Sequence, residues 1–326
     1  MKSVKNFFNT IMQIDHCLIL AAGFGTRMGV IGQKLPKVLW PVFEKSLLEL
    51  QVQYARSLGI KNIFINLHYM GEQIEAYCKS KSAFEGVTFL WEKPEILDIG
   101  GGIQNLASQV KYKGTLLVLN ADQFFYIKPD DLYRILEPHK KKPAVLFSYW
   151  VNSSLGYNAL EINPDRIVKG IIKNADLPKG KTIETYTGIS LVDLAQLEKV
   201  PGPSPFFESV APFKTKEIST ILLENVDYWD FGTVKRYWET SHHLLSTYKM
   251  NSNHPFLRFL VNEKAIKTWK IDLQALSYHS RSAGVINLTP METGPVKGPL
   301  IAMGESFPLK SEPQHVYWNG LGDMVT

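Results

Sequence analysis

Apolar and polar positions along the chain alternate between short strand-like runs and amphipathic helical stretches. The run Cys17 to Ala22 is almost continuously apolar and reads as a buried strand. KSLLELQVQYARSLG sets Leu47, Leu48, Leu50, Tyr54, Ala55 and Leu58 at mostly helical spacing, with Gly59 suited to the helix end. KNIFINLH is the next predicted strand, GEQIEAYCKS a helix, and Val87 to Glu92 another strand. GTLLVLNAD (Gly114 to Asp122) is the most apolar run and is expected at the centre of the sheet. DDLYRILEPH predicts a helix with an acidic start. PAVLFSYWV, NALEIN and IVKGII follow as strands, Pro164-Asp165 turning the chain between the last two. TYTGISLVD is a further strand. TVKRYWETSHHLLSTYKM is a helix with Val234, Tyr237, Trp238, Ser241, Leu244, Leu245 and Tyr248 on one side. This alternation predicts an α/β sheet flanked by helices.

The pattern divides the chain into a main domain over residues 1–250 and an appendage over 251–326. GPVKGPLIAMGES in the appendage faintly resembles the rungs of a short β-helix, but such a stack needs about three repeats or more. The alternative is an irregular Gly/Pro-rich segment that covers the main domain or mediates a homodimer.

Composition changes this picture little. With 326 residues, 45% of them hydrophobic, the chain can bury a large core. The formal net charge of +5 suits an anionic ligand. Its basic residues are dispersed, so no nucleic acid is expected as partner. Two cysteines, Cys17 and Cys78, exclude a disulfide framework and a multi-cysteine zinc site. No apolar stretch approaches the ~20 residues that span a bilayer, and the N-terminal segment has no continuous signal-peptide core. A cytoplasmic protein without membrane contact is expected.

Candidate chemistry concentrates where the first strand ends. Gly23 and Gly25 let the backbone approach a ligand, and the amides beyond them can face an anion. Arg27 lies just inside this loop and Lys37 ten positions on, so two cations flank the amides. Other glycine-loop readings fit less well. The third glycine, Gly29, comes one position late for a dinucleotide loop. ADLPKGKT (Ala175 to Thr182) precedes a strand instead of opening a helix, as a P-loop must. No HRD or DFG element follows to make a protein kinase.

LAAGFGTRMG followed by LPKVLWPV resembles the signature of the sugar-1-phosphate nucleotidyltransferases, from about Ile14 to Tyr248. Within that superfamily, INLHYMGEQI and ILDIGGGIQNL are most similar to the N-acetylmuramate-1-phosphate uridylyltransferase branch, although the 251–326 tail is longer than expected there. The resemblance implies a Rossmann-like mixed, mainly parallel sheet flanked by helices, of the nucleotide-diphospho-sugar transferase type. It implies a reaction in which a nucleoside triphosphate and a sugar-1-phosphate give a nucleotide sugar and pyrophosphate. UTP with N-acetylmuramate-1-phosphate is the expected pair, with a mannose or heptose guanylyltransferase as the alternative.

Site residues follow from the same likeness. Leu20, Ala21, Ala22, Gly23, Gly25 and Thr26 would cradle the nucleotide, with Arg27 and Lys37 as the catalytic cations. Asp122 and Asp230 would hold Mg²⁺, a hard ion that prefers one or two carboxylates plus phosphate oxygens. On spacing alone Asp230 reads equally as a helix N-terminal residue. Tyr228 stands where the family's W-x-D-x-G-T box has Trp. Gly100, Gly101 and Gly102 would face the base, where three glycines would otherwise read as a flexible joint. Asn66, His68, Lys173, Glu184, Thr187 and Gly188 are the candidates for the sugar and its phosphate. His68 reads as structural without the family context, and Glu92-Lys93-Pro94 lies too early to supply the sugar-phosphate lysine.

Two other function classes fit the sequence less well. A non-catalytic regulatory subunit sensing nucleotide sugars could dispense with Arg27, Lys37, Asp122 or Asp230, and this chain keeps all four. A dinucleotide oxidoreductase is disfavoured by the cation pair and the late glycine.

Overall fold

The computed structural model describes residues 13–260, apart from 29–31, 33–34, 43–44 and scattered positions between 225 and 252, together with four backbone strands beyond. The main sheet begins with β1 (His16–Leu20), followed by a small hairpin of β2 (Pro41–Val42) and β3 (Lys45–Ser46). Then come α1 (Leu47–Ser57), β4 (Asn62–Leu67), α2 (Gly71–Lys79), β5 (Thr88–Trp91) and α3 (Asp98–Gln109). β6 (Thr115–Asn120) leads directly into β7 (Gln123–Tyr126), and α4 (Pro129–Leu136) follows. The second half holds β8 (Ala144–Asn152), β9 (Ala159–Ile162), β10 (Val168–Ile172) and the long β11 (Thr182–Asp193). It closes with α5 (Phe206–Ser209), β12 (Ser219–Leu222), β13 (Asp227–Asp230) and α6 (Pro255–Leu260).

Seven strands form one mixed sheet in the order β12-β8-β11-β6-β1-β4-β5. β6, β1, β4 and β5 run parallel, and β11 is antiparallel to both of its neighbours. The most apolar run thus occupies the middle of the sheet, where both faces are covered. Its side chains alternate between two cores. Leu117 and Leu119 join the core that contains residues of α1, α2 and α4, while Leu116 and Val118 face α3 and α5. Burying one such leucine contributes roughly 1.5–3 kcal/mol, so Leu117→Ala would cost about 2–5 kcal/mol with its cavity.

The helices form where the spacing predicts them. The Ser46 hydroxyl accepts the Glu49 N–H at 3.1 Å and starts α1, and Gly59, at φ +79°, ends it in the left-handed region. One boundary differs. The strand expected over Cys17 to Ala22 stops at Leu20, because the Ala21 and Ala22 amides bond to the Asn66 side chain instead of a neighbouring strand.

Described positions from 236 to 247 are helical, and Tyr237, Ser241 and Leu244 are buried as expected. Val234, Trp238, Leu245 and Tyr248 lie outside the described residues. α6 packs Phe256 on Phe124 at 5.7 Å, so residues 255–260 join the main core. Beyond it, β14 (Lys270–Ile271), β15 (Val285–Leu288), β16 (Leu300–Met303) and β17 (Gln314–Tyr317) form a sheet in that order. β15 and β16 pair in parallel, and the two outer pairs are antiparallel. The rest of the GPVKGPLIAMGES stretch lies outside the described residues. No helix among the described residues is long and apolar enough to cross a membrane.

Candidate functional site

The glycine loop leaves β1 at the carboxyl edge of the sheet. Asn66, at the end of neighbouring β4, is buried, and its side-chain oxygen accepts the Ala21 N–H at 2.6 Å and the Ala22 N–H at 3.3 Å. Its amide donates to Glu92 Oε1 at 2.8 Å, and Glu92 Oε2 accepts the Leu97 N–H at 2.8 Å. One buried carboxylate therefore braces the start of the loop and the turn before α3. His68 packs its ring against Phe24 at 5.7 Å and places Nδ1 2.9 Å from the Glu92 carbonyl. Beyond this brace the loop is open. A Cβ on Gly23 or Gly25 would meet nothing within 4 Å, and Gly25 holds φ +62°. Thr26 to Met28 form a single 3-10 turn that leaves Arg27 61% exposed.

Four of the candidate side chains converge. β6 ends at Asn120, and Asp122 sits in the turn into β7. Its Oδ2 accepts Lys37 Nζ at 2.5 Å and Arg27 Nη2 at 3.4 Å. Asp230 ends β13, which pairs antiparallel with β7 so that Asp230 lies opposite Gln123. The Phe231 N–H then donates to the Asp122 carbonyl at 2.8 Å. Gly232 stands between the carboxylates: a Cβ there would lie 2.8 Å from Asp230 Oδ1 and 3.1 Å from Asp122 Oδ2. It would also lie 3.5 Å from Arg27 Nη2.

Asp230 is further held by two residues that sequence reasoning missed. Its Oδ2 accepts the Tyr157 hydroxyl at 2.5 Å and Arg236 Nη1 at 2.7 Å, and its Oδ1 accepts the Gly232 N–H at 2.6 Å. Burial, and next the hydrogen bond to Asp230, push the Tyr157 hydroxyl well above its usual pKa, so it remains a donor. Tyr157 is distant in the chain and carries no local signal, whereas Arg236 lies just beyond the Gly232-Thr233 turn and reaches back to Asp230. Thr233 sets Arg236 in place, its hydroxyl accepting the Arg236 N–H at 3.1 Å as a helix cap.

The remaining candidates each have local partners of their own. Gly188, at φ +86°, is at a bulge in β11, where a Cβ would run into the Asn120 amide. Thr187 is fully buried and donates to the Phe147 carbonyl at 2.8 Å. Glu184 is buried and paired with Arg166, whose Nη1 lies 2.9 Å from Oε2. Lys173 is exposed at the end of β10. In the first turn of α3, Gly100 and Gly101 admit a crossing segment. A Cβ on Gly100 would lie 2.6 Å from the Ser204 carbonyl oxygen, and one on Gly101 2.7 Å from that of Gly202. A Cβ on Gly102 would instead lie 2.9 Å from Glu92 Oε1, beside the loop brace. Glycine costs about 1 kcal/mol against alanine within a helix, and the close approach explains its use at 100 and 101.

Residues 17–160 match the model of the MobA-like NTP transferase domain. That match includes the glycine loop, Lys37, the α3 glycines and Asp122, and ends before β11 and Asp230. The bifunctional protein GlmU of Gloeothece citriformis is 32% identical over 161 residues, 48% of this chain and 34% of that protein. The D-glycero-alpha-D-manno-heptose 1-phosphate guanylyltransferase of Campylobacter jejuni is 34% identical over 110 residues, 34% of this chain and 48% of that protein. The chain thus spans between a third and a half of these curated relatives. Among solved structures, HddC from Yersinia pseudotuberculosis superposes with a TM-score of 0.60 at 21% identity. The superposition covers 71% of this chain and 99% of HddC, and a second HddC structure is complexed with GMP-PN. The likeness shows the nucleotide-diphospho-sugar transferase fold.

Proposed function

We propose that this protein transfers a nucleotidyl group from a nucleoside triphosphate to a sugar-1-phosphate, releasing pyrophosphate. The observation that carries the reading is the convergence of Arg27, Lys37, Asp122 and Asp230 around the Cβ-free space at Gly232. An oxygen of the sugar phosphate attacks the α-phosphorus in line, and the bond to the β-phosphate breaks. No covalent enzyme intermediate is required, so the side chains act by positioning and charge neutralisation. Arg27 and the open loop amides hold the β- and γ-phosphates, and Lys37 neutralises charge where the two substrates meet.

The carboxylate pair fits a hard divalent ion. Asp122 Oδ2 and Asp230 Oδ1 both border the space that glycine leaves empty at position 232. Asp122 and Asp230 would hold Mg²⁺, which when bound supplies positive charge to the oxygens joining nucleotide and sugar phosphate. Lys37 and Arg27 occupy Asp122 in the protein alone, and the arriving phosphates are their alternative acceptors.

UTP with N-acetylmuramate-1-phosphate is supported by the similarity of INLHYMGEQI and ILDIGGGIQNL to that branch. GTP with a heptose-1-phosphate is supported by the Campylobacter relative and by the neighbour complexed with GMP-PN. The test is a grid of four nucleoside triphosphates against several sugar-1-phosphates with Mg²⁺, reading pyrophosphate release. A single preferred pair supports transfer and names the substrates. Silence across the grid with nucleotide-sugar binding retained would replace it by a regulatory subunit on the same fold.

A further inference from the structure

Three cations border the carboxylate pair, and they are unevenly shared. Arg27 and Lys37 both reach Asp122, whereas Arg236 lies on Asp230. Arg236 Nη1 donates both to Asp230 Oδ2, at 2.7 Å, and to the Tyr157 hydroxyl, which donates to that same oxygen. The guanidinium carbon sits 4.9 Å from the Tyr157 ring centroid, so the aromatic face fixes its approach. Tyr157 is itself anchored, because Asn174 Nδ2 donates to its carbonyl at 3.2 Å. Nη2 of Arg236 has no acceptor among the described residues. The side chain is 25% exposed, which leaves the guanidinium room to change partners.

The carboxylate oxygen that Arg236 occupies belongs to a residue that would hold the divalent ion. An ion bound by Asp230 weakens the attraction between Oδ2 and the guanidinium, since the two cations then share one negative charge. A guanidinium freed at that point presents a planar fork that matches two phosphate oxygens. It stands beside Tyr157, in the segment between β8 and β9, while the other two cations come from the glycine loop and the segment after it.

We infer that Arg236 is the receptor for the phosphate of the sugar-1-phosphate, held on Asp230 until metal and substrate arrive. This inference rests on the nucleotidyl-transfer reading. Arg236→Gln and Arg236→Lys test it in two ways. In the first, Mn²⁺ alone is titrated into nucleotide-free protein and followed by electron paramagnetic resonance. Removing the competing cation in Arg236→Gln should tighten Mn²⁺ binding about tenfold, the equivalent of ~1.4 kcal/mol. In the second, the Michaelis constant for the active sugar-1-phosphate should rise about tenfold or more in Arg236→Gln, the scale of one lost charge-assisted contact. The constant for the triphosphate should stay within about twofold, and Arg236→Lys, which keeps the charge but not the planar fork, should recover only part of the loss.

Unchanged Mn²⁺ affinity overturns the exchange on Asp230. An equal rise of both Michaelis constants overturns the assignment to the sugar phosphate. If Arg236→Gln folds poorly, Arg236→Lys carries the kinetic test, with a smaller rise confined to the sugar phosphate as the supporting result. A wild-type protein silent with every substrate pair overturns nucleotidyl transfer itself, while the Mn²⁺ titration still decides whether Arg236 competes for Asp230.

Discussion

Asp230 pairs with Gln123 across the β7–β13 ladder, which sets it beside Asp122 at the head of β7. The two carboxylates are thereby fixed by main-chain hydrogen bonds, and their side chains need only short reach to face Gly232. A site held this way is preorganised, because the strands are ordered before any ligand arrives.

Gly232→Ala should therefore separate activity from folding. The added methyl would lie within 3.1 Å of both carboxylates, in the space assigned to the metal. We expect turnover to fall by about 100-fold, the usual scale for a small misplacement of reacting groups. The melting temperature should change little, since side-chain ends line that space. Near-normal turnover would remove the space between the carboxylates from the mechanism.

Arg27→Ala and Lys37→Ala should each lower turnover by roughly 100-fold or more, as when a donor to developing charge is lost. Arg27 is mostly exposed and its loss should leave stability unaltered. Steady-state rates close to wild type in both variants would dissolve the phosphate-cradle assignment.

Activity should depend on a divalent ion, with Mg²⁺ or Mn²⁺ effective. Asp122→Asn should be the most damaging carboxamide change and Asp230→Asn the next, because a neutral amide is a poor ligand for a hard cation. Pyrophosphate release that persists in excess chelator would rule out the metal role.

Gly100→Ala should destabilise the fold. The new Cβ would lie 2.6 and 2.7 Å from the carbonyl oxygens of Ser204 and Pro205, which are backbone and cannot swing aside. Overpacking costs about 1–3 kcal/mol and outweighs the ~1 kcal/mol that alanine adds to helix propensity. Urea unfolding reads the outcome, and a midpoint at or above wild type would show that the crossing segment yields easily.

Glu49 links stability to pH. Burial raises its carboxyl pKa, with Lys81 and Lys45 opposing the shift, and its Oε2 has no hydrogen-bond partner among the described residues. Its folded pKa lies above the unfolded one, so the folded state binds the proton more tightly. Its favourable contribution is complete below the unfolded pKa and is lost as pH rises through the raised folded value. Glu49→Gln escapes that loss, so the variant should gain on wild type in urea unfolding at pH 7.5 and not in acid. An identical difference at both pH values would contradict this.

Much of the architecture was legible because strand and helix periods are local properties of the chain. The apolar Gly114 to Asp122 run could be placed at the sheet centre from composition alone, and the open geometry of Gly23 and Gly25 agrees with the loop their sequence predicts. The three glycines of α3 read, from the family resemblance, as facing the base, and without it as a flexible joint. At Gly100 and Gly101 the partner is the chain at 202–205, encountered only when α3 packs against the later segment.

By itself the sequence determined the alternating elements, the sheet's apolar centre and the identity of four charged residues at the carboxyl edge. Tertiary structure alone decided how they meet. The antiparallel pairing of β13 with β7 brings Asp230 to Asp122, and the segment between β8 and β9 brings Tyr157 to Asp230. The Asn66–Glu92 brace likewise joins β4 to the turn before α3 and fixes the loop after β1. The physical reason is range: propensity and periodicity act over a few residues, whereas these hydrogen bonds close between segments that only the packed sheet makes neighbours.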